Sequence, residues 1–264
     1  MRSRDCCRRS ILGFIYFINI TLESTMSDQA KPSSLINWVG YLGTTMLVLL
    51  PLSVITVRSG VWQQGLLLFA LACLGSAVLL VLCLILLALP RFADKRTAIL
   101  KRSVWLVPGS VLLLTLSGGG DVPPIHDIST DTDNPPAFIA AVEARGDSSN
   151  SLDTTAETVA QQITAYPDIT TLTSGLDAEQ AYARALATAE DLGWEVLAKY
   201  PSNGMIEAVA TTAVMAFKDD IAIRVSATEG GSVIDVRSVS RVGLSDLGAN
   251  AKRIRAFLDQ FSAG

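Results

Sequence analysis

Two long uncharged apolar stretches constrain this chain more than any other feature of its sequence. Residues 36–57 and 62–89 contain no Asp, Glu, Lys or Arg. At about 1.5 Å per residue, a helix of either length can cross a hydrocarbon core roughly 30 Å thick. Trp38 and Tyr41 stand at the start of the first stretch, where aromatic side chains anchor helices at the membrane interface. Both stretches are therefore predicted to be transmembrane helices.

A third apolar stretch, residues 103–117, is shorter and contains Pro108 and Gly109. Its 15 residues give roughly 22 Å of helix, so it could span a thinned bilayer or enter and leave on one side. Spanning is favoured, because residues 111–114 offer no polar face for an interfacial helix. The predicted membrane region is therefore 36–117, with about three spans.

The distribution of Lys and Arg predicts the orientation in the membrane. Between the second and third spans lie five basic residues: Arg91, Lys95, Arg96, Lys101 and Arg102. Basic loops stay in the cytoplasm, so three spans would place the C-terminus outside it. In a Gram-negative host, the expectation is a multi-pass inner-membrane protein with a periplasmic C-terminal domain whose first partner is the lipid bilayer.

The N-terminal segment, residues 1–35, precedes the first span. Its first 25 residues join a basic start to an apolar run of about 12 residues, which is too short to span, and no cleavage signal follows clearly. The hypothesis is that translation begins at Met26 and that residues 1–25 are not translated.

Residues 118–264 form the predicted extramembrane domain, and their composition excludes several functions. From Asp121 onward there are 21 acidic and 10 basic residues, a net charge of −11 that would repel nucleic acid. The four cysteines all precede residue 120, and His126 is the only histidine, which leaves no thiolate or multi-histidine metal site. Neither a metal nor a cofactor is expected.

The pattern of this domain predicts an α+β fold, an antiparallel sheet with helices packed on one face. Asp177 begins an amphipathic helix that Gly193 ends, and Ser245 is predicted to cap a last helix. Four strands joined by short polar turns are predicted between these helices, at Trp194–Tyr200, Met205–Phe217, Ile221–Thr228 and Ser232–Val242.

The last predicted hairpin gathers arginines on one face. A register that pairs Val225 with Val236 places Arg224 opposite Arg237, and like charges across a strand pair are destabilising. Either carboxylates balance these charges, with Asp235 and residues 121–133 or 219–220 as the sources, or an anionic ligand does. The candidate ligand-binding residues are Arg224, Asp235, Arg237, Arg241, His126 and Asp127.

His126 and Asp127 open a polar segment that runs to Pro136. Asp131, Asp133 and Asn134 resemble the oxygen ligands of calcium loops, but Pro135 and Pro136 break the loop geometry, which argues against metal binding. His126 beside Asp127 could be an oriented base or a hydrogen-bonding residue near a turn.

Several blocks of the domain resemble the family catalogued as domain of unknown function 1499. The blocks are His126–Asp131, Pro135–Phe138, Phe217–Asp220, Ile223–Val225, Asp235–Gly243 and Ser245–Arg255. The resemblance covers most of residues 121–261, with Ser129 where the family has Thr. It implies a domain and transfers no activity.

Two functions remain open at this point. The first is a non-catalytic binding or scaffold module whose arginine-bearing face meets an anionic small molecule or an envelope protein. The second is a membrane-anchored, hydrolase-like enzyme with a site around His126, Asp127 and Arg237. A transporter is disfavoured, because no charge lies within the spans.

Overall fold

A computed structural model describes residues 34–117, 122–146 and 148–264 of the chain. The hypothesis about Met26 concerns residues outside this part. The chain divides into two compact units, Met1–Ser117 and Gly118–Gly264.

The described part of the first unit, residues 34–117, is helical. Helix α1 spans Ser34–Arg58 and α2 spans Trp62–Ala88, close to the predicted 36–57 and 62–89. A third helical stretch, Pro90–Ser117, joins 3-10 turns at Pro90–Lys95 and Val104–Leu106 to helices α3 (Arg96–Ser103) and α4 (Val107–Ser117). All three stretches are long and apolar enough to cross a membrane.

The third stretch differs from its prediction, because it begins at Pro90 and has 28 residues. The basic residues expected in a loop are helical. Pro90 suits the first position of a helical turn, and the Arg, Lys, Ala and Leu residues that follow have high helix propensity. Arg102 also donates a hydrogen bond to Asn37 Oδ1 on α1 at 2.8 Å.

Small residues bring the helices of this unit together. At Gly109 of α4, an added Cβ would lie 2.8 Å from Ser76 Cβ and 3.2 Å from the Ala72 carbonyl oxygen, both on α2. Backbones approach this closely only where side chains are small, as is usual between helices in membranes.

The second unit contains six strands and four helices within its described residues. The strands are β1 (Asp127–Ser129), β2 (Leu172–Ser174), β3 (Glu195–Tyr200), β4 (Met205–Thr211), β5 (Lys218–Thr228) and β6 (Gly231–Ser240). The helices are α5 (Ala140–Ala144), α6 (Ala156–Ala165), α7 (Ala178–Asp191) and α8 (Ala249–Ala263). The sheet is antiparallel in the order β1-β6-β5-β4-β3, and β2 also pairs with β6.

The predicted strands are present with shifted ends. The second was predicted to run to Phe217 but ends at Thr211. Thr212 N donates a hydrogen bond to the Phe217 carbonyl oxygen and Phe217 N donates one to Thr212 Oγ1, which closes a turn. The short strands β1 and β2 were not predicted, since three residues carry too little periodicity.

The predicted register of the β5–β6 hairpin was wrong by two residues. Val225 pairs with Ile234 instead of Val236, and Arg224 lies opposite Asp235 instead of Arg237. Thr228 pairs with Gly231 around a two-residue turn, Glu229 and Gly230. A shift of two keeps every side chain on its face, so the apolar pattern alone could not choose between the registers.

Helices α7 and α8 pack on one face of the sheet, as predicted. The core between them includes Ile206, Ile223 and Val236 from the strands and Ala185 and Phe257 from the helices, all almost completely buried. Asp177 caps α7 by accepting a hydrogen bond from Gln180 N.

The predicted cap of the last helix was wrong. Helix α8 begins at Ala249, and Asp246 accepts hydrogen bonds from Gly248 N and Asn250 N at 2.8 Å each. Ser245 lies three residues before the N-cap position, Gly248, and donates to the Pro123 carbonyl oxygen instead.

The opposite face of the sheet is also covered. Phe138 and Ala141 lie against Ala222 and Val239, and the described residues between 130 and 154, Pro136 and Leu152 among them, lie over this face. The charged strand positions predicted to point outward are therefore largely buried.

Candidate functional site

The charged sheet face is the surface formed by the outward side chains of β5 and β6 under residues 130–154. Side chains alternate along a strand, so Asp220 and Arg224 of β5 point to the same side as Asp235 and Arg237 of β6. Asp127 reaches the same face from β1. The sequence therefore placed Arg224, Asp235 and Arg237 on one face correctly, although not in their true pairs.

Arg237 and Asp127 form a buried pair near the middle of this face, since Arg237 lies opposite Ala222, between Asp220 and Arg224. Arg237 Nε donates to Asp127 Oδ1 at 3.0 Å, and its Nη2 donates to Oδ2 at 2.8 Å. Both side chains are 7% exposed. A two-pronged contact of this kind suits the planar guanidinium, and burial shields it from water and salt.

The remaining donors of Arg237 bind the chain that covers the face. They contact the carbonyl oxygens of Pro136 and Leu152 and the hydroxyl of Thr154, and the guanidinium carbon lies 5.2 Å from the centre of the Phe138 ring. Arg237 thus joins three segments that are remote in sequence to β6.

Arg224 lies nearer to the β5–β6 turn than Arg237 and is the most accessible of the three arginines predicted for the site, at 19% exposure. Its Nη2 donates to Asp131 Oδ2 and to Asp235 Oδ2, both at 2.8 Å. Thr130 and Thr171 donate to the other oxygen of Asp235. Two carboxylates from the predicted set, Asp131 and Asp235, therefore balance the positive charge of Arg224.

Asp220 lies between two arginines and is completely buried. Arg241 donates to both of its oxygens, at 2.7 to 3.2 Å, and Arg145 Nη1 lies 3.3 Å from Oδ2. Burial lowers the pKa of Arg145, and the nearby Asp220 carboxylate opposes that change. Arg145 was missed in the sequence, because it lies outside the strands and helices that were predicted.

Glu207 was also missed. It is completely buried on β4 and accepts hydrogen bonds from the backbone N–H groups of Ile139, Ala140 and Ala141 at 2.8 to 3.0 Å. A carboxylate at these free N–H groups stabilises the start of α5. The sequence feature that could have pointed to Glu207 is its single charge inside an otherwise apolar predicted strand.

Among the described residues, no side-chain hydrogen bond links His126 to these groups. Its carbonyl oxygen accepts from Ser240 N at 2.9 Å and from Asn250 Nδ2 at 3.0 Å, which continues the pairing of β1 with β6. The Asp127 carboxylate already accepts hydrogen bonds from Arg237 and from the Thr154 hydroxyl, the latter at 2.6 Å. Within the part of the chain that the structure describes, no side-chain hydrogen bond orients His126 as a base.

The segment that resembles a calcium loop has a structural role. Asp131 Oδ1 accepts hydrogen bonds from Asp133 N and Asn134 N, while its Oδ2 binds Arg224. The carboxylate thus stabilises a turn and completes an ion pair. Within the described residues, no three acidic, histidine or cysteine side chains are grouped as metal ligands.

Asn250 links the sheet to α8 on the side away from the charged face. It is completely buried, its Oδ1 accepts from Ser238 and Arg253, and its Nδ2 donates to the His126 carbonyl. Arg253 also binds Asp219 at the start of β5. Residues of the blocks Asp235–Gly243 and Ser245–Arg255 therefore hold the last helix against the sheet.

The model of the family described as Protein of unknown function (DUF1499) matches residues 127–261, which is more than half of the chain. The chain belongs to this family. The matched region includes β1 to β6, the charged sheet face and most of α8. No sequence among the curated proteins matches the chain significantly.

Proposed function

We propose that this member of the DUF1499 family is a membrane-anchored, non-catalytic module that holds a rigid α+β domain outside the cytoplasm for an envelope partner. The observation that carries the proposal is the state of the charged sheet face. Arg224, Arg237 and Arg241 are each engaged by a carboxylate of the domain itself. An anionic ligand would have to displace these partners.

The arginines serve a structural role in this proposal. They join β5 and β6 to the covering chain, and the described carboxylates at the face neutralise them: Asp127, Asp131, Asp220 and Asp235. An anionic small molecule would meet Arg224 first, since that arginine is the most accessible. A protein partner would instead meet the acidic outer surface, and a basic partner would suit the domain's net charge of −11.

The enzyme alternative requires His126, Asp127 and Arg237 to converge on one substrate. Asp127 accepts three hydrogen bonds, two from Arg237 and one from Thr154, so it has little capacity left to orient an imidazole. This occupancy weighs against a hydrolase with those roles.

An activity comparison tests the non-catalytic part. The full-length protein in nanodiscs is assayed with phosphate-ester, carboxylic-ester and peptide substrates, alongside His126→Ala. We expect equal background rates. Turnover that disappears in His126→Ala, while the protein stays folded, would establish the enzyme instead.

Cysteine accessibility tests the proposed orientation. In a background without the four native cysteines, all of which precede residue 120, a single cysteine at exposed Glu229 reports only on its own side of the membrane. We expect a membrane-impermeant maleimide to label it in cells whose outer membrane has been permeabilised. Labelling only after inner-membrane lysis would place the domain in the cytoplasm.

A further inference from the structure

The loop between β6 and α8 exposes two leucines. Within the described part of the second unit, Leu244 and Leu247 are the most exposed large apolar side chains, at 85% and 69%. They lie in the short segment Gly243–Gly248 and are three residues apart. Two leucines in water on one short loop are unfavourable unless something covers them.

The loop is held in this conformation by several contacts. Asp246 N donates to the Ile125 carbonyl at 3.1 Å, Ser245 Oγ donates to the Pro123 carbonyl at 3.3 Å, and Leu247 N donates to Ser245 Oγ at 3.2 Å. Asp246 is drawn inward and caps α8. The two leucines are the members of the loop that are left pointing outward.

Leu247 also has a backbone φ of +52°. A bulky residue adopts this left-handed conformation at a cost, which glycine would avoid. Gly243 and Gly248 on either side have positive φ as well, so a third glycine would fit the turn. A leucine kept at a strained, exposed position points to a use for its side chain.

The loop is bonded to the part of the chain that follows the third apolar helix. The loop is bonded to Pro123 and Ile125, and Gly248 lies beside Val122. Only five peptide steps separate Val122 from Ser117, the last residue of the third apolar helix. Connectivity alone therefore limits the distance between them to about 18 Å.

We propose that Leu244 and Leu247 insert into the interfacial region of the lipid bilayer next to the end of that helix and fix the domain against the membrane. The proposal rests on the membrane anchoring stated above and adds a second, reversible contact to it. Because the domain is already tethered, a weak apolar contact suffices, since the effective concentration of the bilayer is high.

The charge of the domain favours apolar docking over electrostatic docking. Its net charge of −11 repels anionic headgroups, and the exposed Lys252 in the first turn of α8 is a basic residue close to the loop. Docking should therefore occur on zwitterionic phosphatidylcholine and change little with salt.

The opposite end of β6 supplies a matched control. The turn residue Glu229 is exposed, and β6 has ten residues, so this turn lies about 30 Å along the strand from the leucine loop. A probe there reports on the same domain in the same sample, far from the proposed contact.

Spin-label accessibility tests the proposal in the full-length protein in phosphatidylcholine nanodiscs. Single cysteines at positions 244, 247 and 229 are labelled in a background without the four native cysteines. We expect the labels at 244 and 247 to collide more with oxygen than with a water-soluble nickel complex. The label at 229 should show the reverse.

Three results would overturn the docking. Water-like accessibility at 244 and 247 in incorporated protein would refute it and leave the anchoring intact. Protection of both labels from both reagents would mean that protein covers the loop, and failure to enter nanodiscs would refute anchoring and docking together.

Hydroxyl-radical footprinting of the unmodified chain gives an independent measurement that needs no substitution. We expect Leu244 and Leu247 to be oxidised several-fold less than exposed Val142, although they are more exposed in the domain itself. Stronger oxidation of both leucines than of Val142 would also overturn the proposal.

Discussion

The buried pair of Arg237 and Asp127 yields the most informative prediction. Arg237→Ala would leave the Asp127 carboxylate 7% exposed without its cation, and would remove the contacts that join the covering chain to β6. Removing one partner of a buried pair costs about 3–5 kcal/mol. A domain of this size has roughly 5–15 kcal/mol of total stability, so the loss is a large fraction.

The assay is urea unfolding of residues 118–264, a compact unit with its own core. Trp194 is the only tryptophan in this segment, and it stacks on Phe257 with ring centres 5.5 Å apart, so its fluorescence follows the packing of α8. With a slope of about 2 kcal/mol per molar urea, a loss of 4 kcal/mol lowers the midpoint by about 2 M.

Arg255→Ala is the matched control. Arg255 also contacts both oxygens of one carboxylate, Asp168, but the two side chains are 40% and 55% exposed. An exposed pair contributes about 0–1 kcal/mol, so its midpoint should fall by less than about 0.5 M.

A double-mutant cycle separates the pair from the lost packing. Combining Asp127→Asn with Arg237→Met should cost less than the sum of the single changes, by about 1–3 kcal/mol, because the two residues are in direct contact. The reasoning is refuted if Arg237→Ala shifts the midpoint no more than Arg255→Ala. A ligand lost without any change in stability would assign Arg237 to binding instead.

Three further predictions use the same unfolding assay. Glu207→Gln keeps the side-chain shape but turns an N–H group toward the backbone N–H of α5, so it should cost about 2–4 kcal/mol; a loss below about 1 kcal/mol would mean that water replaces these contacts. Gly231→Ala should destabilise the pairing of β2 with β6, because φ is +142° and an added Cβ would overlap the Ser174 carbonyl oxygen and lie about 3.0 Å from Gly175 Cα. Gly230→Ala meets open space and should be nearly neutral; equal effects would contradict the pairing of β2 with β6. Burial raises the pKa of Asp246 above its ordinary 3.8, and the hydrogen bonds from Asn250 and Gly248 oppose this change. The contribution of Asp246 to folding stability is therefore complete below that ordinary value and is lost as pH rises through the raised pKa. Asp246→Asn should remove this slope, and an unchanged pH profile would show that the carboxyl is not desolvated.

Local pattern determined much of the fold. The uncharged stretches predicted helices α1 and α2 nearly to the residue, and the 3.6-residue and two-residue periods identified α7, α8 and strands β3 to β6. Such patterns suffice because each records which side of an element leaves water, a property that the sequence carries within a few residues.

For the candidate site, the sequence predicted which residues share a face of the sheet but not which of them pair. Alternation placed Arg224, Asp235 and Arg237 together, but it could not distinguish registers that differ by two. Nor could it find Arg145 and Glu207, whose importance depends on the chain that folds over them from elsewhere.

The sequence by itself determined where apolar surface must leave water: three stretches suited to lipid, and one face of a sheet covered by two helices. Only the tertiary structure decided which charges meet, since Asp127 and Arg237 are 110 residues apart and pair through β1, which is just three residues long. Hydrophobic burial acts at every position separately, whereas an ion pair exists only after two distant segments have been brought to within about 3 Å.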